Sequence, residues 1–244
     1  MKQNKYDESS FFANYSQMAR STGGLDEAGE WSFFRKMLPK LEGASVLDLG
    51  CGFGWHCRYV REQQARSVIG VDLSSNMLAR AREMTDDEQI EYRQQAIEDI
   101  HFSASEFDIV ISSLALHYVE SLGDLFRKVH HCLTPGGAFV FSVEHPVFTA
   151  LAGQDWHYGA EGEKLHWPLD NYHREDLRQS RFLEHDVVKY HRTISTYINA
   201  LIESGFELKQ LSELKPTDEL LGSHSAWQEE MRRPMFLLVS AEKK

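Results

Sequence analysis

Asp48 stands inside an apolar run and is followed by three alternate glycines, Gly50, Gly52 and Gly54, in VLDLGCGFGWHCRYV, residues 46 to 60; the next apolar run, SVIGVD, ends in Asp72. An apolar strand feeding a helix through a glycine-rich turn offers backbone N–H groups at the carboxyl edge of a sheet, with glycines that let a ligand come close. A pyrophosphate cradle of the G-x-G-x-x-G kind fits poorly, because Trp55, His56 and Cys57 follow Gly54 and no glycine closes the pattern. A carboxylate at Asp48 suits a cationic amine better than a phosphate. Asp72 stands where an acid can accept hydrogen bonds from both ribose hydroxyls. Together the two acids point to a nucleoside that carries an amine and no phosphates.

Proton chemistry has three candidates among the twelve histidines: His117 in SSLALHYV, His145 in SVEHP and His191 in VKYHRT. Each lies beyond a strand end or in an irregular segment, where an imidazole near its ordinary pKa can serve as a general base. His145 is the favoured base, since it follows a predicted strand directly and precedes Pro146. Arg181 or Arg192 can neutralise an anionic substrate.

These groups need a frame, and the alternation of short apolar runs with amphipathic ones supplies it. Strands are predicted over 45-49, 67-72, 90-94, 107-112 and 137-143, with helices over 54-63, 75-83 and 122-132. In the last helix Leu122, Leu125, Phe126, Val129 and Leu133 share a face, and Ser121 with Asp124 forms a capping box. A helix over 193-203 stopped by Gly205, then strands FELKQLSEL and MFLLVSAEK pairing as a hairpin, complete an α/β three-layer sandwich. Its sheet is mostly parallel and seven-stranded, with the last strand antiparallel. Residues 1-40 form an ordered helical arm, and 146-192, rich in His, Trp, Asp and Gly, form an insertion on the substrate side. Residues 1-244 are expected to make a single domain.

Composition narrows the partners. The chain has 244 residues, with 26 Lys and Arg against 37 Asp and Glu and a net charge of −11. That charge argues against nucleic acid and against anionic membrane surfaces. Cys51, Cys57 and Cys132 show no CxxC pairing and read as reduced, buried thiols. The N-terminus has no apolar signal core. A cytoplasmic protein, monomer or homodimer, is expected, with no metal.

VLDLGCGFG, GVDLS and CLTPGG resemble the successive motifs of class I S-adenosylmethionine-dependent methyltransferases, and the small-molecule branch related to ubiquinone/menaquinone-biosynthesis enzymes most of all. The resemblance covers residues 44 to 145 and, loosely, the final strand pair. It implies a Rossmann-like fold and S-adenosyl-L-methionine as cofactor. Gly50, Cys51, Gly52 and Gly54 would line its methionine part, with Asp48 orienting the amine and Ser113 facing the same moiety. Asp72 would hold the ribose, with Leu73 and Met77 beside the adenine. Where the family usually has an acid near the adenine amine this chain has Ala96, so Ala96, Ile97 and Glu98 would meet adenine through backbone and apolar surface. Tyr15 and Arg20 belong to an arm resembling the family's N-terminal lid, and Tyr15 can reach the sulfonium by cation–π contact.

The turn SSLAL differs from the Asn/Asp-Pro-Pro-aromatic motif of enzymes that methylate amino groups of bases. Trp156, Tyr158, Trp167 and Tyr172 in the insertion suit a wall for an aromatic or partly apolar small molecule. The implied reaction is in-line methyl transfer to the oxygen, nitrogen or carbon of such a molecule, releasing S-adenosylhomocysteine. A nicotinamide-dependent oxidoreductase and a non-catalytic cofactor-binding module are the alternatives.

Overall fold

The computed structural model describes residues 3–223 and 226–244. Helical arm segments come first: single 3-10 turns at Lys5–Asp7 and Gly24–Glu27, with α1 (Ser9–Ser16), α2 (Ala19–Thr22) and α3 (Trp31–Met37). Then strand and helix alternate through β1 (Ser45–Leu49), α4 (Trp55–Glu62), β2 (Ser67–Asp72), α5 (Ser75–Glu83), β3 (Ile90–Gln94), β4 (Phe107–Ser113), α6 (Leu122–Cys132) and β5 (Leu133–Glu144). The insertion holds α7 (Pro146–Thr149) and two ribbons, β6 (His157–Tyr158) with β7 (Lys164–His166) and β8 (Leu177–Phe182) with β9 (His185–Tyr190). The chain ends with α8 (Ile194–Glu203), β10 (Phe206–Glu213), α9 (Asp218–Ser223), α10 (Ala226–Glu230) and β11 (Phe236–Lys243).

The sheet runs β3-β2-β1-β4-β5-β11-β10, and β11 alone is antiparallel to both of its neighbours. Strand order reverses beside β1, so the crevice for a ligand opens at the carboxyl ends of β1, β2 and β4. All five residues of β1 are buried. Its side chains alternate between the faces: Leu47 and Leu49 pack with Phe126, Phe139, Phe141 and Tyr197 under α6 and α8, whereas Val46 packs with Trp31, Phe34, Val60 and Leu78 under α3 to α5.

Local differences from the sequence reading have simple causes. β5 starts at Leu133, which pairs with Phe107 before the Thr-Pro-Gly-Gly turn shifts the register. Ser121 occupies the N-cap of α6 but makes no capping bond to the backbone; its hydroxyl donates to Asp124 Oδ2 at 2.6 Å. β10 and β11 pair antiparallel as expected, although α9 and α10 stand between them. Among the described residues no helix is long and apolar enough to cross a membrane.

The arm and the β8–β9 ribbon roof the crevice. The Asp7 carboxylate is fixed at the start of α5, accepting from Ser74 Oγ at 2.5 Å and from the Asn76 N–H at 3.0 Å. A carboxylate there satisfies unpaired N–H groups and complements the helix dipole. Phe11, fully buried, meets Phe182 and His185 of the ribbon edge-on, with ring centroids 6.0 and 5.4 Å apart. The Val188 N–H donates to Gln3 Oε1 at 2.7 Å.

Candidate active site

Under this roof lies one cavity of about 1210 Å³, running from the glycine loop to the ribbon. That exceeds the roughly 300–1,000 Å³ of an ordinary small-molecule pocket, leaving room for a nucleoside cofactor and a second molecule together. Of the sequence-predicted cofactor residues, Tyr15, Arg20, Gly50, Gly52, Asp72, Leu73, Met77, Ala96, Ile97, Glu98 and Ser113 line it. Cys51 lines a side chamber of about 60 Å³ that shares Tyr15, Arg20, Gly50, Gly52 and Ser113 with the main cavity.

The loop chemistry decides between a phosphate and a nucleoside. The N–H groups of Gly50 and Cys51 both donate to Val71 O, at 2.9 and 3.0 Å, and that of Gly54 donates to Cys51 O at 2.8 Å. The Gly52 N–H donates to Asp72 Oδ2 at 2.9 Å. These four donors are already satisfied, so the loop is not an anion cradle. Asp72 also accepts from the Ser74 N–H at 2.9 Å through Oδ1. Burial pushes its carboxyl above the ordinary value, and these N–H groups oppose the shift. Each of its oxygens keeps a lone pair for a hydroxyl donor in the cavity. Gly50 has φ of 79°, and a Cβ there would lie 2.5 Å from the Ala115 Cβ, so only glycine fits.

The structure places several of the expected site residues elsewhere. Asp48 does not line the cavity: the period of two in β1 turns it with Val46 toward α4, where it is buried and accepts from Cys57 Sγ at 3.2 Å. Burial raises its carboxyl to about 7. Gly54 is also set back. With φ of 72°, it starts α4 so tightly against β3 that a Cβ would lie 2.1 Å from the Tyr92 hydroxyl.

His145 and His191 lie outside the cavity with both ring nitrogens engaged. His145 caps α7: its Nδ1 accepts from the Val147 N–H at 3.0 Å, so Nε2 carries the proton and donates to Glu213 Oε1 at 2.8 Å. His191 Nε2 donates to Tyr172 O at 2.9 Å and its Nδ1 accepts from Thr149 Oγ1 at 2.7 Å. Of the three histidines, only His117 lines the cavity. Arg192 does not line the cavity and donates through Nη2 to Val119 O and Glu120 O, while Arg181 reaches the cavity.

The expected aromatic wall is made by other rings. Trp167 stacks on Phe148 at 5.0 Å and meets Trp156 edge-on, with the Arg233 guanidinium over all three rings. Tyr172 packs against His191, and Tyr158 is exposed. From the insertion, Phe148, Phe182 and Tyr190 line the cavity instead.

Sequence reasoning missed Glu30, Tyr6, Tyr118, Glu144 and Lys189. Glu30 is buried, accepts from Arg20 Nη2 at 2.8 Å and from Ser113 Oγ at 3.2 Å through Oε1, and leaves Oε2 without a hydrogen-bond partner among the described residues. Trp55 Nε1, whose residue lines the side chamber, is likewise buried and unpaired among the described residues. Such unspent groups around the loop end of the cavity suit a zwitterion with donors and acceptors of its own. Tyr6 meets Tyr15 edge-on at 5.1 Å beneath the arm. None of these carries a local motif. Leu114, next to the site, has φ of 53°, strain that marks a constrained turn.

A model of a methyltransferase domain matches residues 47–141. The solved structure of an S-adenosylmethionine-dependent methyltransferase from Mesorhizobium loti is 48% identical, covers 90% of this chain and 100% of its own, and superposes with a TM-score of 0.85. The chain belongs to the class I S-adenosylmethionine-dependent methyltransferases. An uncharacterized protein of Haemophilus influenzae shares 32% identity over 98% of this chain and 96% of its own length. The malonyl-[acyl-carrier protein] O-methyltransferase of Enterobacter lignolyticus is 39% identical over only 43% of this chain and 41% of its own. The methyltransferase motifs thus coincide with the cavity's loop end, and S-adenosylmethionine is the cofactor for which the satisfied loop and Asp72 are suited.

Proposed function

We propose that this methyltransferase transfers its methyl group to a small, partly apolar acceptor held between the carboxyl ends of β4 and β5 and the β8–β9 ribbon. The observation that carries this reading is the continuity of the cavity, which joins Asp72 and Gly52 at one end to Phe148, Phe182 and Tyr190 at the other. In this reading Asp72 accepts from the ribose hydroxyls, while Leu73, Met77, Ala96 and Ile97 pack on the adenine and Glu98 meets its edge. Gly50, Gly52, Cys51, Ser113, Arg20 and Glu30 surround the methionine end. When bound, S-adenosylmethionine supplies an electrophilic methyl on a sulfonium.

The protein's task is then alignment and exclusion of water. Tyr15, edge-on to Phe53 at 5.7 Å and to Tyr6, closes the arm over the reacting centre and presents a ring to positive charge. Phe148, Phe182 and Tyr190 favour an aromatic or otherwise flat acceptor. The Enterobacter relative is by name an O-methyltransferase, which supports the reaction class; it matches less than half of this chain, so its acceptor is not carried over.

Incubating the protein with methyl-labelled cofactor and a metabolite extract, and reading labelled products by mass, tests the proposal. A labelled small molecule is expected. Label appearing only on protein or nucleic acid would overturn it.

A further inference from the structure

The acceptor end of the cavity contains a buried ion pair that the cofactor does not explain. Lys189, on β9, is 2% exposed and donates to Glu144 Oε1 at 2.6 Å and to Gln154 Oε1 at 3.1 Å. Gln154 in turn donates to Glu144 Oε2 at 2.9 Å. All three line the cavity, next to His117. Burying a charge pair costs desolvation that apolar packing would avoid, so a pair in this position is better explained by a ligand than by stability.

What the network leaves unspent tells which ligand. Each Glu144 oxygen already accepts one bond from within the network, and the charge of Glu144 is balanced by Lys189; an ammonium has three donors and Lys189 uses two in hydrogen bonds, its Nζ standing 5.5 Å from the Phe182 ring centroid. Burial lowers His117 to about 4, so its ring is neutral; the Glu144 N–H approaches its Nδ1 at 3.5 Å, which leaves the proton on Nε2 as another donor. Arg181 lines the cavity with no hydrogen-bond or ion-pair partner among the described residues. Of the other acidic side chains that line the cavity, Asp72, Glu98 and Asp99 end or follow β2 or β3 on the adenine side, whereas Glu120 is engaged with the Tyr190 hydroxyl at the end of β9.

We propose that the acceptor carries an oxyanion, carboxylate or phenolate, on an apolar body, and that Lys189, positioned by Glu144 and Gln154, holds that oxygen in line for methylation. This rests on the methyl-transfer reading above. An oxygen lone pair forms the new O–C bond, the C–S bond breaks with its electron pair going to sulfur, and the negative and positive charges cancel. The products are a neutral methyl ester or ether and a thioether, and no proton moves. Such a reaction needs no general base, in keeping with His145 and His191 being occupied elsewhere.

Calorimetry on protein saturated with S-adenosylhomocysteine tests this with phenylacetate, 4-nitrophenolate and benzylamine as probes. At least one anion should bind and the amine should not; the two anions separate carboxylate from phenolate acceptors. Lys189→Met should weaken the bound anion roughly ten- to a hundredfold, the range of a lost charge-assisted hydrogen bond, and leave S-adenosylhomocysteine affinity within about twofold. Because Lys189→Met strands Glu144, the double variant with Glu144→Gln is measured too, and Arg181→Gln, at an exposed position, should weaken the anion severalfold. Benzylamine binding as tightly as the anions, neither anion binding, or anion affinity unchanged in the Lys189 variants would overturn the inference. Absence of S-adenosylhomocysteine binding would instead overturn the cofactor reading beneath it.

Discussion

The two ends of the cavity are built on different principles. At the cofactor end, Gly50, Gly52 and Asp72 sit on a parallel sheet whose strand ends are fixed by register, as in Asp48 opposite Gly70 and Leu49 opposite Val71. At the acceptor end, the lining comes from an arm and a two-stranded ribbon; Asp7 joins the arm to the frame, Phe11 joins the arm to the ribbon, and the Lys189–Glu144 pair joins the ribbon to the frame. A frame of this kind binds one cofactor in one way, whereas attachments can vary and set the acceptor. The comparison predicts that changes at the first end cost cofactor affinity and changes at the second do not.

The largest effect belongs to Asp72. If Asp72 accepts two charge-assisted hydrogen bonds from the ribose, as proposed, Asp72→Ala should cost about 2–4 kcal/mol of S-adenosylhomocysteine affinity by calorimetry. An unchanged affinity would take Asp72 out of the ribose site and break the distinction at its strongest point.

Glu30 tests where the cofactor end stops, since it belongs to the arm and yet reaches the methionine side through Arg20 and Ser113. Glu30→Gln should lower S-adenosylhomocysteine affinity about tenfold or more, as expected for loss of a buried charge partner. Methylthioadenosine, which lacks the amino-acid tail, should bind the variant as it binds the parent. Equal losses for both ligands would mean that Glu30 only props the arm.

How much of this was legible follows from the same contrast. The strands of the seven-stranded sheet, the helices from 54 to 132 and the lining positions of Gly50, Gly52, Asp72, Leu73 and Met77 could be read because strand, loop and helix lie close together in sequence and repeat with fixed periods; the ribbon strands β6 to β9 could not. Asp48 was misread because its motif position suggested the ligand, while the strand's alternation pointed it under α4. Glu30, Glu144 and Lys189 were illegible. Each gains meaning only through a partner far along the chain, Ser113 for the first and each other for the last two, and one sequence carries no signal of such pairing. His145 and His191 looked reactive by position, and only hydrogen-bond geometry shows both rings already used.

A smaller effect is expected at His145, which braces the acceptor end from outside. His145→Ala removes the α7 cap and the link to Glu213, and should cost about 1–2 kcal/mol of stability in denaturant unfolding. Cofactor affinity should stay unchanged. A loss of affinity with no loss of stability would return His145 to the site.

No effect on cofactor affinity is expected at Asp48, where the sign of a pH-dependent change in stability separates a buried carboxyl from a cofactor ligand. Its carboxyl titrates near 7 in the folded chain against an ordinary 3.8, because burial disfavours the charge. Between these values the folded state holds a proton that the unfolded chain has lost, so stability from this group is present at low pH and falls as pH rises through about 7. Asp48→Asn removes that slope, so the variant should gain on the parent from pH 4 upward and level off above 7, with S-adenosylhomocysteine affinity unaltered. If Asp48 instead met the cofactor's ammonium, binding would drive the proton off the carboxyl. Calorimetry near pH 6 in two buffers of different ionisation enthalpy would then record proton release in the parent and none in Asp48→Asn. Equal proton release in the two proteins is expected, because at this depth under α4 the group faces Cys57 and not the cavity.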